Sequence, residues 1–329
     1  MTEKNLVTAI RDTLHEEMAE DDRIVLLGED VGARGGVFKV SEGFLDEFGP
    51  GRVIDTPLAE SGIVGIAIGM AMDGLLPIAE IEFADFIHPA FDQIVSEAAR
   101  MRYRTAGDWG VPMVIRAPCG GGIHGALYHS QSIEAFYAHV PGLKVVMPST
   151  PADAAGLLRT AIRDPDPVLF LEHKKCYRLI TGDVPDGADL IPLGPADVKR
   201  GGDDLTVVSY GYELHRCLDA AERLATEEGI EAEVVDVRTL APLDTETILA
   251  SVRKTSKVVV VYEDNRTYGA GAEIAATIAE EALFDLDAPI VRIGGPDIPA
   301  MPYAAALEHF YMEPEPDRLV RAMRDLARS

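Results

Sequence analysis

Basic charge is scarce in this chain: 30 Lys and Arg residues face 55 Asp and Glu, a net charge of −25. That sign opposes contact with a phosphate backbone, so nucleic acid is not an expected partner. Lysine is the scarcer base, with 8 residues against 22 Arg, a bias that bears on solvation and source rather than on fold. Cysteine is sparse too. Cys119, Cys176 and Cys217 are odd in number, far apart and without a CxxC pair. That pattern argues against a disulfide framework and a thiolate zinc site, and a reducing cytoplasm fits. No uncharged apolar run reaches the roughly 18 residues a membrane span needs. The first segment repeats apolar residues at Val7, Ile10, Leu14 and Met18, which reads as an amphipathic helix rather than a signal peptide. Common catalytic signatures are missing as well: there is no GxxxxGK[ST], no HExxH and no GxSxG. GAGAE at 269–273 lacks the last glycine of a dinucleotide fingerprint.

What is present is core-forming material. The 329 residues are 47% hydrophobic, enough for two domains. Short apolar runs alternate with helical stretches: RIVLLGED, GLLPIAEIEF, VPMVIRAP, LKVVMPST and PVLFLEHK read as strands, with FDQIVSEAARMRYRT and PADAAGLLRTAIRD as helices. After a tract rich in Gly, Pro and Asp, the pattern restarts with DLTVVSY, EAEVVDVRTL, KVVVVYED and PIVRIGG as strands. Such alternation predicts an α/β chain with two doubly wound domains and mainly parallel sheets. The expected division is residues 1–185, a linker over 186–203 and a second domain over 204–329.

Three stretches can carry chemistry. DTPLAESGIVGIAIGMAM sets Glu60 before twelve uncharged residues. An acid in a first helical turn complements the exposed N–H groups there. A helix apolar on all sides is expected to be buried, however, and a carboxylate at its start then needs a partner. GGGIHGALYHSQS carries His124 and His129 on a glycine-rich stretch suited to a loop whose backbone approaches another group closely. Each histidine can equally be a satisfied structural one, and metal binding is disfavoured because no carboxylate sits at ligand spacing. EIEFADFIHPAFDQ interleaves Phe83, Phe86 and Phe91 with acids, a pattern that serves a core or offers a ring face for stacking.

Taken in order, GEDVGARGGVFKV, DTPLAESGIVGIAIGMA, AEIEFADFIHPAFDQIVSEAARMRYRT, GGGIHGALYHSQSIEAFYAHVPGLKVVMPSTPADAAGLL and AIRDPDPVLFLEHK resemble the β subunit of thiamine-diphosphate-dependent 2-oxo acid dehydrogenases, the E1 components. The likeness runs from about residue 4 to the end. It implies a transketolase-like fold and a heterotetramer, α₂β₂, with an E1 α subunit. It also implies decarboxylation of a 2-oxo acid (branched-chain or pyruvate) and reductive acylation of the lipoyl domain on the E2 acyltransferase core.

The resemblance implies residue roles too. Glu60 matches the glutamate that hydrogen-bonds N1′ of the cofactor's aminopyrimidine, and Phe86 the aromatic stacked on that ring. Glu29, Leu58, Ala59 and Glu82 match positions lining the cofactor, with Glu82 standing where relatives often carry glutamine. Phe83, Phe86 and His129 match substrate-side positions, and His129 the histidine used in acyl transfer. Met113, Val114, Ala161, Asp164 and Asp166 match a potassium site, Asp166 replacing a common asparagine. The GDG motif that holds Mg²⁺ and diphosphate is absent, which implies that the α subunit supplies it. FADFIHPAFDQ and HGALYHSQS look most like branched-chain enzymes, although His88 is more polar than its counterparts. FLEHK also occurs in acetoin-cleaving relatives, one alternative reading. The other is a non-catalytic subunit that only docks E2, and the joint retention of Glu60, Phe86 and His129 argues against it.

Overall fold

The computed structural model describes residues 1–187, 189–312 and 317–329. Within the expected linker Ala188 lies outside the described residues, as do 313–316 within the expected second domain. The chain divides into two compact units. One comprises Met1–Cys119 and Phe136–Leu193, the other Gly120–Ala135 and Gly194–Ser329. The second unit therefore reaches back to take the glycine-rich segment, which no composition signal marks.

In the first unit the strands Lys144–Val146, Val168–His173, Val114–Cys119, Leu76–Glu80, Ile24–Gly28 and Val53–Asp55 lie side by side in that order. Every pairing among them is parallel. The inner strands Ile24–Gly28, Val114–Cys119 and Val168–His173 are buried along their whole length, as parallel strands covered on both faces must be. The helix Leu6–Glu20 buries Leu6, Ile10, Leu14 and Met18, and Asn5 caps it by accepting the Thr8 N–H. Thr150 caps Pro151–Ile162 in the same way, with proline in the first turn where its missing N–H costs nothing. The stretch expected as one helix over 91–105 is instead a π-helical turn, Gln93–Ala98, followed by the short α-helix Met101–Arg104.

The second unit has the strand order Val291–Gly295, Val258–Asn265, Leu205–Ser209, Ala232–Asp236 and Asp197–Arg200. The first three pairings are parallel and the last is antiparallel. That edge strand falls inside the tract expected as a linker: its glycines and prolines flank a strand rather than replace it. Leu214, Cys217, Ala221 and Leu224 of the helix Tyr212–Glu228 pack with Val207, Val234 and Val259 in this unit's core. Among the described residues no helix is long and apolar enough to cross a membrane.

Candidate active site

Three strand ends build the site of the first unit. Gly28 is in register with both Asp55 and Glu80, so the three strands finish together and their following loops leave the sheet side by side. Ligands of open α/β sheets bind at such carboxyl ends. Gly28 is required there, since a Cβ would stand 2.6 Å from the Glu80 carbonyl oxygen. Asp55 holds the first loop by accepting the N–H groups of Gly32 at 2.6 Å and Ala33 at 3.1 Å.

Those loops carry Glu29, then Leu58, Ala59 and Glu60, then Glu82, Phe83 and Phe86. Glu60 is half-buried and opens the helix Glu60–Met72, whose preceding residue Ala59 provides no side-chain cap. The carboxylates sense one another. Burial raises the pKa of Glu29, and the charges of Asp30 and Glu60 add to it. Burial likewise pushes Glu82 up to about 7, helped by Glu29, Asp30, Glu80 and Glu60. This cluster needs a proton or an outside N–H donor to be comfortable. Phe83 is buried and meets Phe86 edge-on at 5.9 Å and Phe38 at 5.6 Å, with the Lys174 ammonium 5.8 Å from its ring. Phe86 is only half-buried, so its ring can serve a planar ligand.

The helix Glu60–Met72 corrects one expectation. Ile63, Val64, Ala67, Ile68 and Ala71 are buried, yet Gly65, Ile66 and Gly69 on the other side are exposed, Ile66 by 54%. Leu58 is 71% exposed. All-round hydrophobicity therefore did not mean all-round burial in this chain's own core.

Beneath the cluster lies an ionic network that motif reading missed. Arg116 is fully buried and pairs with Glu172 at 2.7 and 2.8 Å and with Glu80 at 2.5 Å, while the Tyr177 hydroxyl donates to Glu172. Burial works against the guanidinium charge, but Glu172 and Glu80 outweigh it and hold Arg116 above its ordinary pKa. Its signal in the sequence was a charged residue inside each of the apolar strands VIRAP and FLEH.

His129 lies on the glycine-rich segment, in the second unit, and is half-buried. Its Nδ1 is 3.2 Å from the Gly125 carbonyl oxygen, which can only accept. A neutral ring that donates to this carbonyl carries its proton on Nδ1. Gly125 permits this turn, since a Cβ would stand 2.6 Å from the His129 Cβ. The other histidines scatter: His88 lies 5.4 Å from Phe136, and buried His173 accepts the Lys175 N–H. No group of three or more His, Cys, Asp or Glu residues among the described ones could hold a metal. At the expected potassium positions, Asp164 pairs with Lys144 at 2.6 Å and Asp166 with Arg102 at 2.5 Å. The Met113 carbonyl accepts from Val168, and the Ala161 carbonyl from Asp164.

The comparisons place the chain in a family. Residues 2–180 match the transketolase pyrimidine-binding domain, and residues 194–317 the transketolase C-terminal domain. A solved structure described as a split-gene transketolase, an inactive β4 tetramer, aligns with a TM-score of 0.78 at 26% identity over 98% of both chains. Fold and family matches thus define a two-domain chain of the transketolase class. Whole-length relatives narrow it further. The chain is 57% identical to the 2-oxoisovalerate dehydrogenase subunit beta of Bacillus subtilis, over 99% of both chains. It is 48% identical to that organism's pyruvate dehydrogenase E1 component subunit beta, over 90% of this chain and 91% of the relative. With the 3-methyl-2-oxobutanoate dehydrogenase subunit beta of Mycobacterium tuberculosis it shares 46% identity, over 98% and 92%. The chain belongs to the β-subunit family of 2-oxo acid dehydrogenase E1 components.

Proposed function

We propose that this chain is the β half of a thiamine-diphosphate-dependent E1 enzyme that decarboxylates a 2-oxo acid and acylates the lipoyl group of an E2 acyltransferase. The observation that carries the reading is Glu60: a half-buried helix-opening carboxylate, flanked by Glu29 and Glu82 and sharing its loop cluster with the half-buried Phe86 ring. That donor set fits the aminopyrimidine end of the cofactor. Glu60 would accept from N1′, Phe86 would stack on the ring, and Glu29, Leu58, Ala59 and Glu82 would line it. Thr56, four residues before Glu60, keeps a buried hydroxyl with no bonding partner among the described residues, room for one more polar contact.

The same cluster does not fit a diphosphate. Glu29, Asp30, Glu60 and Glu82 carry the wrong charge, so an E1 α subunit with its Mg²⁺ holds that end in an α₂β₂ tetramer. The exposed Leu58 and Ile66 supply apolar surface for such a partner. The cofactor supplies the carbanion chemistry, and the protein supplies orientation and charge. Glu60 would hold the proton at the pyrimidine N1′, Phe83 would line the substrate side, and His129 would move a proton during acyl transfer. The higher identity to the 2-oxoisovalerate subunit favours a branched-chain 2-oxo acid over pyruvate. The setting is cytoplasmic. A potassium ion would be held at Met113, Val114, Ala161, Asp164 and Asp166 by backbone carbonyls, since the Asp164 and Asp166 carboxylates are paired with Lys144 and Arg102.

Glu60→Gln tests the reading in the assembled enzyme. The variant is expected to bind cofactor while exchange of the thiazolium C2 proton slows and turnover falls by ~10²-fold or more, the scale of a lost proton-transfer group. Wild-type exchange in the variant would reduce Glu60 to a helix-terminal acid.

A further inference from the structure

The glycine-rich segment that carries His129 is braced by two carboxylates that motif reading left unassigned. Glu308, on the helix Ala305–Met312 and only 1% exposed, accepts the Gly122 N–H at 2.9 Å and the His124 N–H at 3.1 Å. The same carboxylate pairs with the His124 imidazole. Glu263, on the strand Val258–Asn265, accepts the Gly121 N–H at 2.7 Å and the Ser132 hydroxyl at 3.0 Å. A backbone bond closes the base of the loop, from the Gly120 N–H to the Gln131 carbonyl at 2.9 Å.

The loop needs such bracing. His124 and Ala126 sit at φ of +58° and +56°, a region non-glycine residues rarely hold unless their surroundings enforce it. Gly121 packs so closely that a Cβ would lie 3.1 Å from both Met301 and Met312. A buried carboxylate with backbone N–H donors and an imidazole around it gains charge-assisted bonds, while a loop deprived of them exposes several unpaired amides. We propose that Glu308 and Glu263 are positioning residues: they lock the 120–132 loop and thereby aim the His129 imidazole. Neither needs to touch the substrate. The inference rests on the proposed role of His129 for its consequence, but not for the lock itself.

Hydrogen exchange and two activity assays on the assembled α/β enzyme separate these levels. Glu308→Ala is expected to speed amide exchange in the 120–132 peptide by about tenfold or more. It should also lower lipoyl-dependent acyl transfer by ~10- to 10²-fold, the scale of a small misplacement of a reacting group. Decarboxylation read with an artificial electron acceptor should fall less. Glu308→Gln keeps one acceptor oxygen and is expected to restore part of both losses. Should Glu308→Ala fail to fold, Ser132→Ala removes a single bond to Glu263 and is expected to quicken exchange in the same peptide. Unchanged exchange in every folded variant overturns the lock. Quickened exchange with normal acyl transfer overturns the positioning claim if His129→Ala abolishes that transfer. If His129→Ala also transfers normally, the assigned role of His129 fails instead and exchange alone decides the lock.

Discussion

Two acidic groupings sit one behind the other in the first unit, and they are built on opposite principles. Around Arg116, the Glu80 and Glu172 carboxylates meet a cation and a tyrosine hydroxyl within the chain. Around Glu60, the carboxylates of Glu29 and Glu82 meet mainly other carboxylates. The first arrangement is finished, with each buried charge answered locally. The second has no such cation: burial and neighbouring carboxylates together raise Glu29 and Glu82, whereas the raised Glu80 of the first grouping has the Arg116 charge to oppose its burial. Buried charge alone therefore does not mark a reactive site.

Removing the answer to the finished grouping is expected to have the largest effect. Arg116→Met strands two buried carboxylates, and breaking such a pair costs about 3–5 kcal/mol. Urea denaturation of the variant should show the loss. A midpoint equal to wild type would mean that the network contributes nothing to folding. Glu60→Gln should do the reverse, with activity falling by ~10²-fold and the same denaturation midpoint retained to within a few tenths of a molar. A parallel loss of stability would erase the distinction between the groupings.

Ile66→Asp is expected to act on neither, but on assembly. It places a charge on the exposed apolar face of the helix Glu60–Met72. Sedimentation of the variant with its partner should show less tetramer and a normally folded chain, and full assembly would remove this face from the interface.

A smaller effect sharpens the comparison by pH. Glu82 has a folded-state pKa of about 7 against an ordinary 4.5. Below the lower value it is protonated in folded and unfolded chains alike. Between the two the folded chain holds the extra proton, so stability falls as pH rises, and the full cost is present above the higher value. Glu82→Gln should thus melt higher than wild type at pH 8 and nearly level with it at pH 4. A difference that is largest in acid would reverse the sign and refute the clustering. The smallest effect is that of potassium. Replacing potassium by choline at constant ionic strength should lower the melting temperature by about a degree or two, as loss of a weakly bound ligand does. No change would remove the ion from the reading.

Much of the first unit was legible because its strands are buried on both faces and read as continuous apolar runs, as Ile24–Gly28 and Val168–His173 do. The Asp197–Arg200 strand was not legible: it lies at a sheet edge, half-exposed, within a tract whose prolines and glycines dominate the local signal. The site divides along the same line. Glu60 and Phe86 stand in long ordered motifs, so they could be matched to family positions. Glu308 could not, since it acts on Gly122 from 186 residues away, and nothing near it in the chain announces the contact.

The linear order of residues determined the strand–helix alternation, the doubly wound α/β class and the family, because hydrophobic period and motif order are local properties. Only the tertiary structure decided which unit owns residues 120–135, which face of the helix Glu60–Met72 remains exposed, and which carboxylates find cations. Those outcomes depend on approach between residues distant along the chain. A charge acquires its meaning there, from whichever groups the fold brings within a few ångströms of it.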